Sequence, residues 1–318
     1  MRRKSKTTGS GIQLTIEEII TELADRKKRI LNSTLAELSN LSAQELELFL
    51  GAWAVLEAKR RREIISRLVE LAYDNVEFNF DSIFENCLAD RDADVRSGAI
   101  EGLWENEKAS LIDPLISLLK QDRSEKVQVS AATALGKFAM LAEHEKLRPN
   151  HTVKISQALI SVNNDKSRPE EVRRRTLEAV APLSLPQVKV AINEAYQSTS
   201  NRLRVSSIYA MGKNCDPFWL PILLKELDND DPEIRYEAVG ACGELEEAET
   251  VPYLVNLVND PDTDVQLATI RTLGKIGGVE AKKCLNQCLD NPNQAVSQAA
   301  EQALAEIEAT ENPFSFKI

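Results

Sequence analysis

The sequence is poor in the residues on which many enzymes and all-β proteins depend. It contains two histidines, His144 and His151, in 318 residues, and only 5% of its side chains are aromatic. Glycine and proline number 12 each, too few for an all-β protein with many tight turns. A metal site built on imidazole would need more histidines, or carboxylates to complete it. These shortages favour a helical protein and give no indication of a metal or cofactor site.

The sequence also lacks disulfide spacing, a signal peptide and a membrane-length apolar run. The cysteines are Cys87, Cys215, Cys242, Cys284 and Cys288, an odd number with no C-x-x-C motif. Such usage fits a reducing compartment. The segment Met1–Lys6 is basic and leads into polar residues with no apolar core, so it does not resemble a secretory signal. We expect a cytoplasmic protein without membrane contact, beginning with a disordered basic tail over residues 1–13.

Charge is unevenly distributed along the chain. The net charge is −11, yet residues 216–318 hold 20 acidic and 7 basic side chains, and the rest of the chain sums to about +2. An acidic surface repels phosphate, which disfavours nucleic-acid binding there. A protein partner with a basic surface would suit this half of the chain.

A fixed spacing of aliphatic residues is the strongest pattern. Successive steps of 31, 32, 45, 31, 31, 31 and 31 residues separate Ile64, Val95, Val127, Val172, Leu203, Ile234, Val265 and Val296. Other apolar residues recur at fixed offsets from these anchors, as the core face of a helix requires. Three residues before most anchors stands Asp, Ser or Asn, a residue type suited to cap a helix. The period therefore predicts about eight helical hairpins.

One unit shows the pattern in full. Residues 252–258 predict a first helix, 259–262 a turn and 263–277 a second helix. The stretch LVNDPDTDVQLATIRTLGKIG, residues 257–277, resembles HEAT repeats of the short phycobilisome-lyase-like type. This resemblance implies an all-α fold, a right-handed α-α superhelix or solenoid. It also implies a ladder between repeats that would join Asp92, Asp231 and Asp262 to Arg96, Arg204 and Arg235, interrupted at Gln128, Gln266 and Ser297.

The period divides the chain into regions. Residues 14–79 are less regular and predict capping helices with a degenerate repeat, including helices at about 15–31 and 42–57 that begin with capping boxes. Residues 80–309 predict the repeat array. The 45-residue step predicts a loop insertion near 141–152, where Pro149 interrupts the helical pattern. Residues 310–318 form a predicted C-terminal tail.

Candidate chemistry is sparse. His144 and Glu145 form one His-Glu pair, whereas the HEAT-repeat enzyme deoxyhypusine hydroxylase binds iron through several. Cys242, Cys284 and Cys288 occupy apolar columns, which predicts buried hydrophobic roles. The basic runs 59–62 and 173–175 could favour nucleic acid, but solvated helix faces are the simpler interpretation. Trp53 and Trp104 are predicted to be core residues, and Trp219 to be partly exposed.

We therefore predict a scaffold or adaptor without catalytic activity, cofactor or metal. Stacked hairpins present an extended surface lined by second helices, and this surface would bind a protein. Candidate partner-binding residues on it are Arg174, Arg204, Tyr236 and Arg271. Two alternatives stay open. One is an enzyme subunit related to bilin lyases or to the hydroxylase, and the other is nucleic-acid binding by the N-terminal half.

Overall fold

The computed structural model describes residues 14–311, which contain 18 α-helices, three short 3-10 helices and no strand. The α-helices are α1 (Ile16–Ala24), α2 (Asn32–Ala36), α3 (Ala43–Trp53), α4 (Ala58–Asp74), α5 (Asp81–Cys87), α6 (Ala93–Gly102), α7 (Ile112–Gln121), α8 (Glu125–Glu143), α9 (Pro149–Asn164), α10 (Glu170–Val180), α11 (Pro186–Tyr196), α12 (Asn201–Asn214), α13 (Leu220–Glu226), α14 (Pro232–Leu245), α15 (Val251–Leu257), α16 (Thr263–Ile276), α17 (Gly278–Cys288) and α18 (Gln294–Glu311). The 3-10 helices precede α7, α13 and α15. The predicted tail over residues 1–13 and the last seven residues lie outside the described part.

The helices from α3 onward pair into eight hairpins, and the structure confirms the predicted all-α repeat fold. The second helix of each hairpin carries one of the eight anchor residues, and each anchor exposes 5% of its surface or less. Most predicted capping residues also act as predicted. The side chains of Asp92, Ser200, Asp231 and Asp262 accept hydrogen bonds from backbone amides at the start of their helices.

The chain forms two compact units, and the boundary falls between Ala134 and Leu135, inside α8. In the first unit α4 packs on α2 and α6. In the second unit the second helices α10, α12, α14, α16 and α18 pack side by side in that order. Gly212 permits one of these contacts, because a Cβ atom there would lie only 2.7 Å from the Cα atom of Ala241.

The N-terminal helix is shorter than predicted. Helix α1 begins with the predicted capping box at Thr15 and Glu18 but ends at Ala24 rather than near residue 31. The guanidinium of Arg60 explains this end, because it donates to the carbonyl oxygens of Leu23 at 2.9 Å and Lys28 at 3.1 Å. These bonds satisfy carbonyl groups that a continued helix would have used internally. Helix α1 packs on α3 as α2 packs on α4, so α1 and α2 form a degenerate hairpin.

The predicted loop insertion near 141–152 is wrong in extent. Residues 141–143 end α8, which is 19 residues long, and residues 149–152 begin α9, which is 16 residues long. Only residues 144–148 form a turn. Pro149 starts α9 instead of interrupting it, since the first position of a helix needs no amide donor. The extra residues lengthen two helices, because Leu141 and Ile155 are buried in the core. At the other end, α18 continues to Glu311, two residues past the predicted end of the array.

Ion pairs link consecutive repeats, but through aspartates other than those predicted. Arg96 pairs with Asp122 at 2.7 Å, and Arg235 pairs with Asp260 at 2.7 Å. Each of these aspartates lies in the turn of its repeat, two residues before the capping position of the second helix. There it faces the arginine of the preceding repeat. The predicted acidic partners are occupied as helix caps; they are Asp92, Asp231 and Asp262.

The ladder is incomplete, as the sequence predicts. Arg204 reaches Glu226 only at 3.9 Å. Gln266 lies directly after its anchor residue, at the position that holds arginine in other repeats. Its side-chain amide donates to the carbonyl oxygen of Asp260 in its own turn, at 2.7 Å. Its neutral amide keeps this local bond but cannot form an ion pair with a carboxylate.

Two of the tryptophan predictions are wrong. Trp104 is 44% exposed, whereas Trp219 is fully buried and donates from Nε1 to Oδ1 of Asn214 at 3.0 Å. Trp219 ends the short 3-10 helix Pro217–Trp219, which turns its ring into the core. Trp53 is buried as predicted. Each helix within residues 14–311 is too short or too polar to cross a lipid bilayer.

Candidate binding groove on the second helices

An open groove of about 370 Å³ lies on three adjacent second helices of the second unit. Helices α12, α14 and α16 form its walls. Its lining residues are Tyr209, Lys213, Tyr236, Glu237, Gly240, Ala241, Gly243, Glu244, Ala268, Arg271, Thr272 and Lys275. Gly240 keeps the groove open, because no atom lies within 4 Å of the place where its Cβ would be.

Two tyrosines line the groove and are partly exposed. Tyr209 on α12 is 37% exposed and Tyr236 on α14 is 39% exposed. The Lys213 ammonium lies 5.6 Å from the centre of the Tyr209 ring, within the range of a cation–π contact. Burial and the nearby carboxylates of Glu178 and Glu237 raise the pKa of Tyr209. Tyr209 therefore stays a neutral phenol at physiological pH.

The lysines of the groove are paired with acidic residues. The Nζ atom of Lys213 lies 3.3 Å from Glu244 Oε2, and Lys275 Nζ lies 3.7 Å from Glu244 Oε1. Lys275 also reaches Glu246 at 3.3 Å. Glu244 thus bridges two cations on neighbouring helices, and the charges on this side of the groove largely compensate each other.

Glu237 differs from Glu244 because its carboxylate has no such partner. It is half-buried and forms no ion pair with any residue between 14 and 311. Burial, together with the like charges of Glu178 and Glu233, raises the pKa of Glu237 to about 7. Lys213 and Arg174 oppose this shift but do not cancel it. Such a carboxyl group changes its charge near neutral pH.

Arg271 is the third cation that lines the groove, after Lys213 and Lys275. It is exposed on α16 and forms no ion pair within the described residues. The groove therefore offers one unpaired carboxyl group at Glu237 and one unpaired guanidinium at Arg271, together with two aromatic rings. These are the side-chain types that contribute most to protein–protein binding when a partner covers them.

The structure brings two of the four predicted residues into the groove and places the other two elsewhere. Tyr236 and Arg271 line it. Arg174 exposes only 12% of its side chain, because it pairs with Glu171 at 2.7 Å and donates to the Ser206 hydroxyl at 2.9 Å. Arg204 lies directly after its anchor residue, at the position of the ladder arginines, and faces Glu226. Neither Arg174 nor Arg204 lines the groove.

The basic runs have structural partners, and the interpretation as solvated faces is wrong for the first run. Arg60 holds the end of α1, and Arg61 is buried in an ion pair with Asp90 at 3.0 Å. In the second run, Arg173 donates to the Asn163 carbonyl at 2.9 Å and Arg175 pairs with Glu178 at 2.8 Å. These guanidinium groups are engaged within the protein, which weakens the case for a phosphate-binding surface.

Four of the five thiols are buried and one is exposed. Burial raises the pKa of Cys87 and of Cys242 to about 12, which leaves both protonated at neutral pH. Cys284 and Cys288 are also buried, and Cys215 is exposed. Within residues 14–311 no group of three or more His, Cys, Asp or Glu side chains is placed to hold a metal ion.

Three residues of the groove are not among the predicted candidates: Tyr209, Lys213 and Glu237. Tyr209 stands six residues after its anchor, in the same column as Arg271, so the period already contained the signal for its position. Lys213 lies in the last turn of α12, where a cation suits the helix dipole, and this local role gives no sign of the groove. Glu237 carries no sequence signal, because its raised pKa depends on burial and on Glu178 from a helix two repeats earlier.

Comparison with known proteins gives one family and several similar folds. The family model for HEAT repeats matches residues 81–149 and 220–305, just under half of the chain. No curated protein matches the chain by sequence.

Solved structures similar to the chain include three proteins. Escherichia coli YibA is 13% identical, with 80% of this chain and 98% of YibA covered and a TM-score of 0.45. Human deoxyhypusine hydroxylase in complex with glycerol is 17% identical, with 92% and 96% covered and a TM-score of 0.35. Kap121p is 14% identical, with 94% of this chain but 42% of Kap121p covered and a TM-score of 0.46. The chain contains HEAT repeats, at residues 81–149 and 220–305.

Proposed function

We propose that the protein is a non-catalytic scaffold that binds a segment of a protein partner in the groove on α12, α14 and α16. One observation carries the proposal. The exposed rings of Tyr209 and Tyr236 share the groove with Arg271 and Glu237, two charged side chains without ion-pair partners in the described chain. Tyrosine and arginine are enriched at the centres of protein interfaces, because they bury large areas and also form hydrogen bonds.

The shape of the groove also favours a peptide segment. It is open and is lined by three neighbouring second helices, so an extended chain that crosses them would place about every third side chain over a helix. The Gly240 position gives such a chain close access to α14. The proposed setting is the cytoplasm, and the proposal includes no cofactor.

A selection from a random 12-residue peptide library against the full-length protein tests this proposal. We expect peptides whose binding weakens at least tenfold for Tyr236→Asp, because the change removes a ring and adds a charge at the centre of the groove. Tyr73→Asp is the matched control, since Tyr73 is an exposed tyrosine on the second helix α4 of the first unit. Binding that is equal for Tyr236→Asp and the wild type, or a failure to select any peptide, would contradict the proposal.

A further inference from the structure

Glu237 is a carboxyl group of the groove that forms no ion pair within residues 14–311. Glu244, about two helix turns further along α14, is neutralised by Lys213 and Lys275. Glu178 on α10 is paired with Arg174 and Arg175. Glu237 lies near these pairs, and the charges of Lys213 and Arg174 lower its pKa, but neither cation forms an ion pair with it. A half-buried carboxylate in such a place is unfavourable until a cation reaches it.

The free cations of the protein are not placed to supply that charge. Lys213 and Lys275 are held by Glu244, and Arg174 is held by Glu171. Arg271 lines the opposite wall on α16 and forms no ion pair with Glu237. Within residues 14–311 Glu237 therefore has no ion-pair partner, and a cation supplied by a partner would stabilise its ionised form.

From the geometry of the groove we infer that the partner segment inserts a lysine or arginine side chain, whose cation pairs with Glu237 beside the rings of Tyr209 and Tyr236. This inference rests on the proposed function and names the chemistry of the partner. The partly exposed ring of Tyr236 favours a cation over a neutral side chain, since an aromatic face attracts positive charge, and the Tyr209 ring already has such a contact with Lys213. Arg271 is then available to a carbonyl or carboxylate group of the same segment.

The pairing makes binding dependent on pH. The titratable and charged groups around Glu237 are Arg174 and Glu178 on α10, Tyr209 and Lys213 on α12, Glu233, Tyr236 and Glu244 on α14 itself, and Arg271 and Lys275 on α16. Helix α13 also packs on α14, but none of its titratable side chains lines the groove within residues 14–311. Because a cation binds the ionised carboxylate, acidification below pH 7 protonates Glu237 and weakens the complex.

The same peptide library, selected in parallel against charge variants of the full-length protein, tests the inference. We expect wild-type protein to enrich Lys or Arg at one fixed peptide position. Glu237→Lys should enrich Asp or Glu there instead, because the charge of the site is reversed. Glu233→Gln, on the same helix one turn earlier, is the matched control and should keep the wild-type preference. Thermal unfolding of each variant verifies that it is folded.

A second measurement does not depend on the folding of Glu237→Lys. The affinity of a selected Lys-containing peptide for the wild type should fall roughly tenfold between pH 8 and pH 6, and should stay nearly constant for Glu237→Gln. Groove-dependent peptides without a basic preference would overturn the inference and leave the proposed function standing. A basic preference that persists in Glu237→Lys would overturn it as well, whereas a lack of any groove-dependent peptide would count against the proposed function itself.

Discussion

Arg235 on α14 and Asp260 in the turn of the following repeat form a bidentate ion pair. The Nε atom of Arg235 donates to Oδ2 at 2.8 Å and Nη2 donates to Oδ1 at 2.7 Å, and both side chains are almost fully buried. The same guanidinium donates to the Asn229 carbonyl oxygen in its own turn at 2.7 Å. One side chain thus ties two consecutive repeats together at their turns.

We predict that Arg235→Ala lowers the free energy of unfolding by about 3 kcal/mol. The change leaves the buried carboxylate of Asp260 without a counter-charge, which is among the more damaging losses in a protein interior. Urea unfolding followed by circular dichroism measures it. Lys126→Ala is the control, because Lys126 pairs with Asp94 at an exposed site and its loss should cost less than about 1 kcal/mol. Equal losses for the two variants would refute the structural role of the ladder.

The period of the sequence predicted the hairpins well because the buried anchors set it. Val265 and Val296 each fill the same place against the neighbouring hairpin, so their spacing is fixed by packing. The ladder was less predictable. Asp260 and Asp262 are both aspartates of one turn, and only the backbone path decides which faces the arginine and which caps the helix.

The groove was only partly predictable, for a related reason. Tyr236 and Arg271 are candidates because the sequence predicts them to be exposed on second helices, and both line the groove. Arg174 and Tyr236 each lie two residues after the anchor residue of their helix. Arg174 nevertheless does not line the groove, because it pairs with Glu171 and donates to the Ser206 hydroxyl. Whether a charged side chain forms an ion pair depends on its neighbours in other repeats. Its position within its own repeat does not reveal those neighbours.

Two glycines of the second unit should respond to substitution in opposite directions. Gly212→Ala forces a methyl group to within 2.7 Å of the Ala241 backbone, so we expect a loss of about 1–3 kcal/mol in the free energy of unfolding. Gly240→Ala meets no atom within 4 Å and improves helix propensity, which should add roughly 0.5–1 kcal/mol. Denaturant unfolding of both variants decides the point, and a stabilising Gly212→Ala would show that the second helices do not pack as closely as described.

The raised pKa of Glu237 makes stability depend on pH. The folded protein holds a proton at Glu237 up to about pH 7, whereas the unfolded chain releases it near 4.5, so this group destabilises the fold increasingly as pH rises between those values. We predict that Glu237→Gln unfolds with roughly 1–2 kcal/mol more free energy than the wild type at pH 8, after allowance for solvent screening. The gain should vanish near pH 4.5.

Urea unfolding at the two pH values measures this difference. Glu244→Gln serves as the control on the same helix, because it loses ion pairs with Lys213 and Lys275 and should bring no gain at pH 8. A Glu237→Gln variant that is no more stable than the wild type at pH 8 would mean that its carboxylate is compensated after all.

The guanidinium of Arg60 holds the segment that follows α1 in the first unit. Arg60 donates to the carbonyl oxygens of Glu22, Leu23, Asp25 and Lys28, at distances from 2.9 to 3.5 Å, and so fixes the segment that follows α1. We predict that Arg60→Ala accelerates amide hydrogen exchange in α1 roughly tenfold and leaves exchange in α14 unchanged, since local opening need not involve the whole chain. Lys59→Ala, which alters the exposed neighbour, should leave α1 protected. If α1 exchanges equally in both variants, its packing on α3 rather than Arg60 holds it in place.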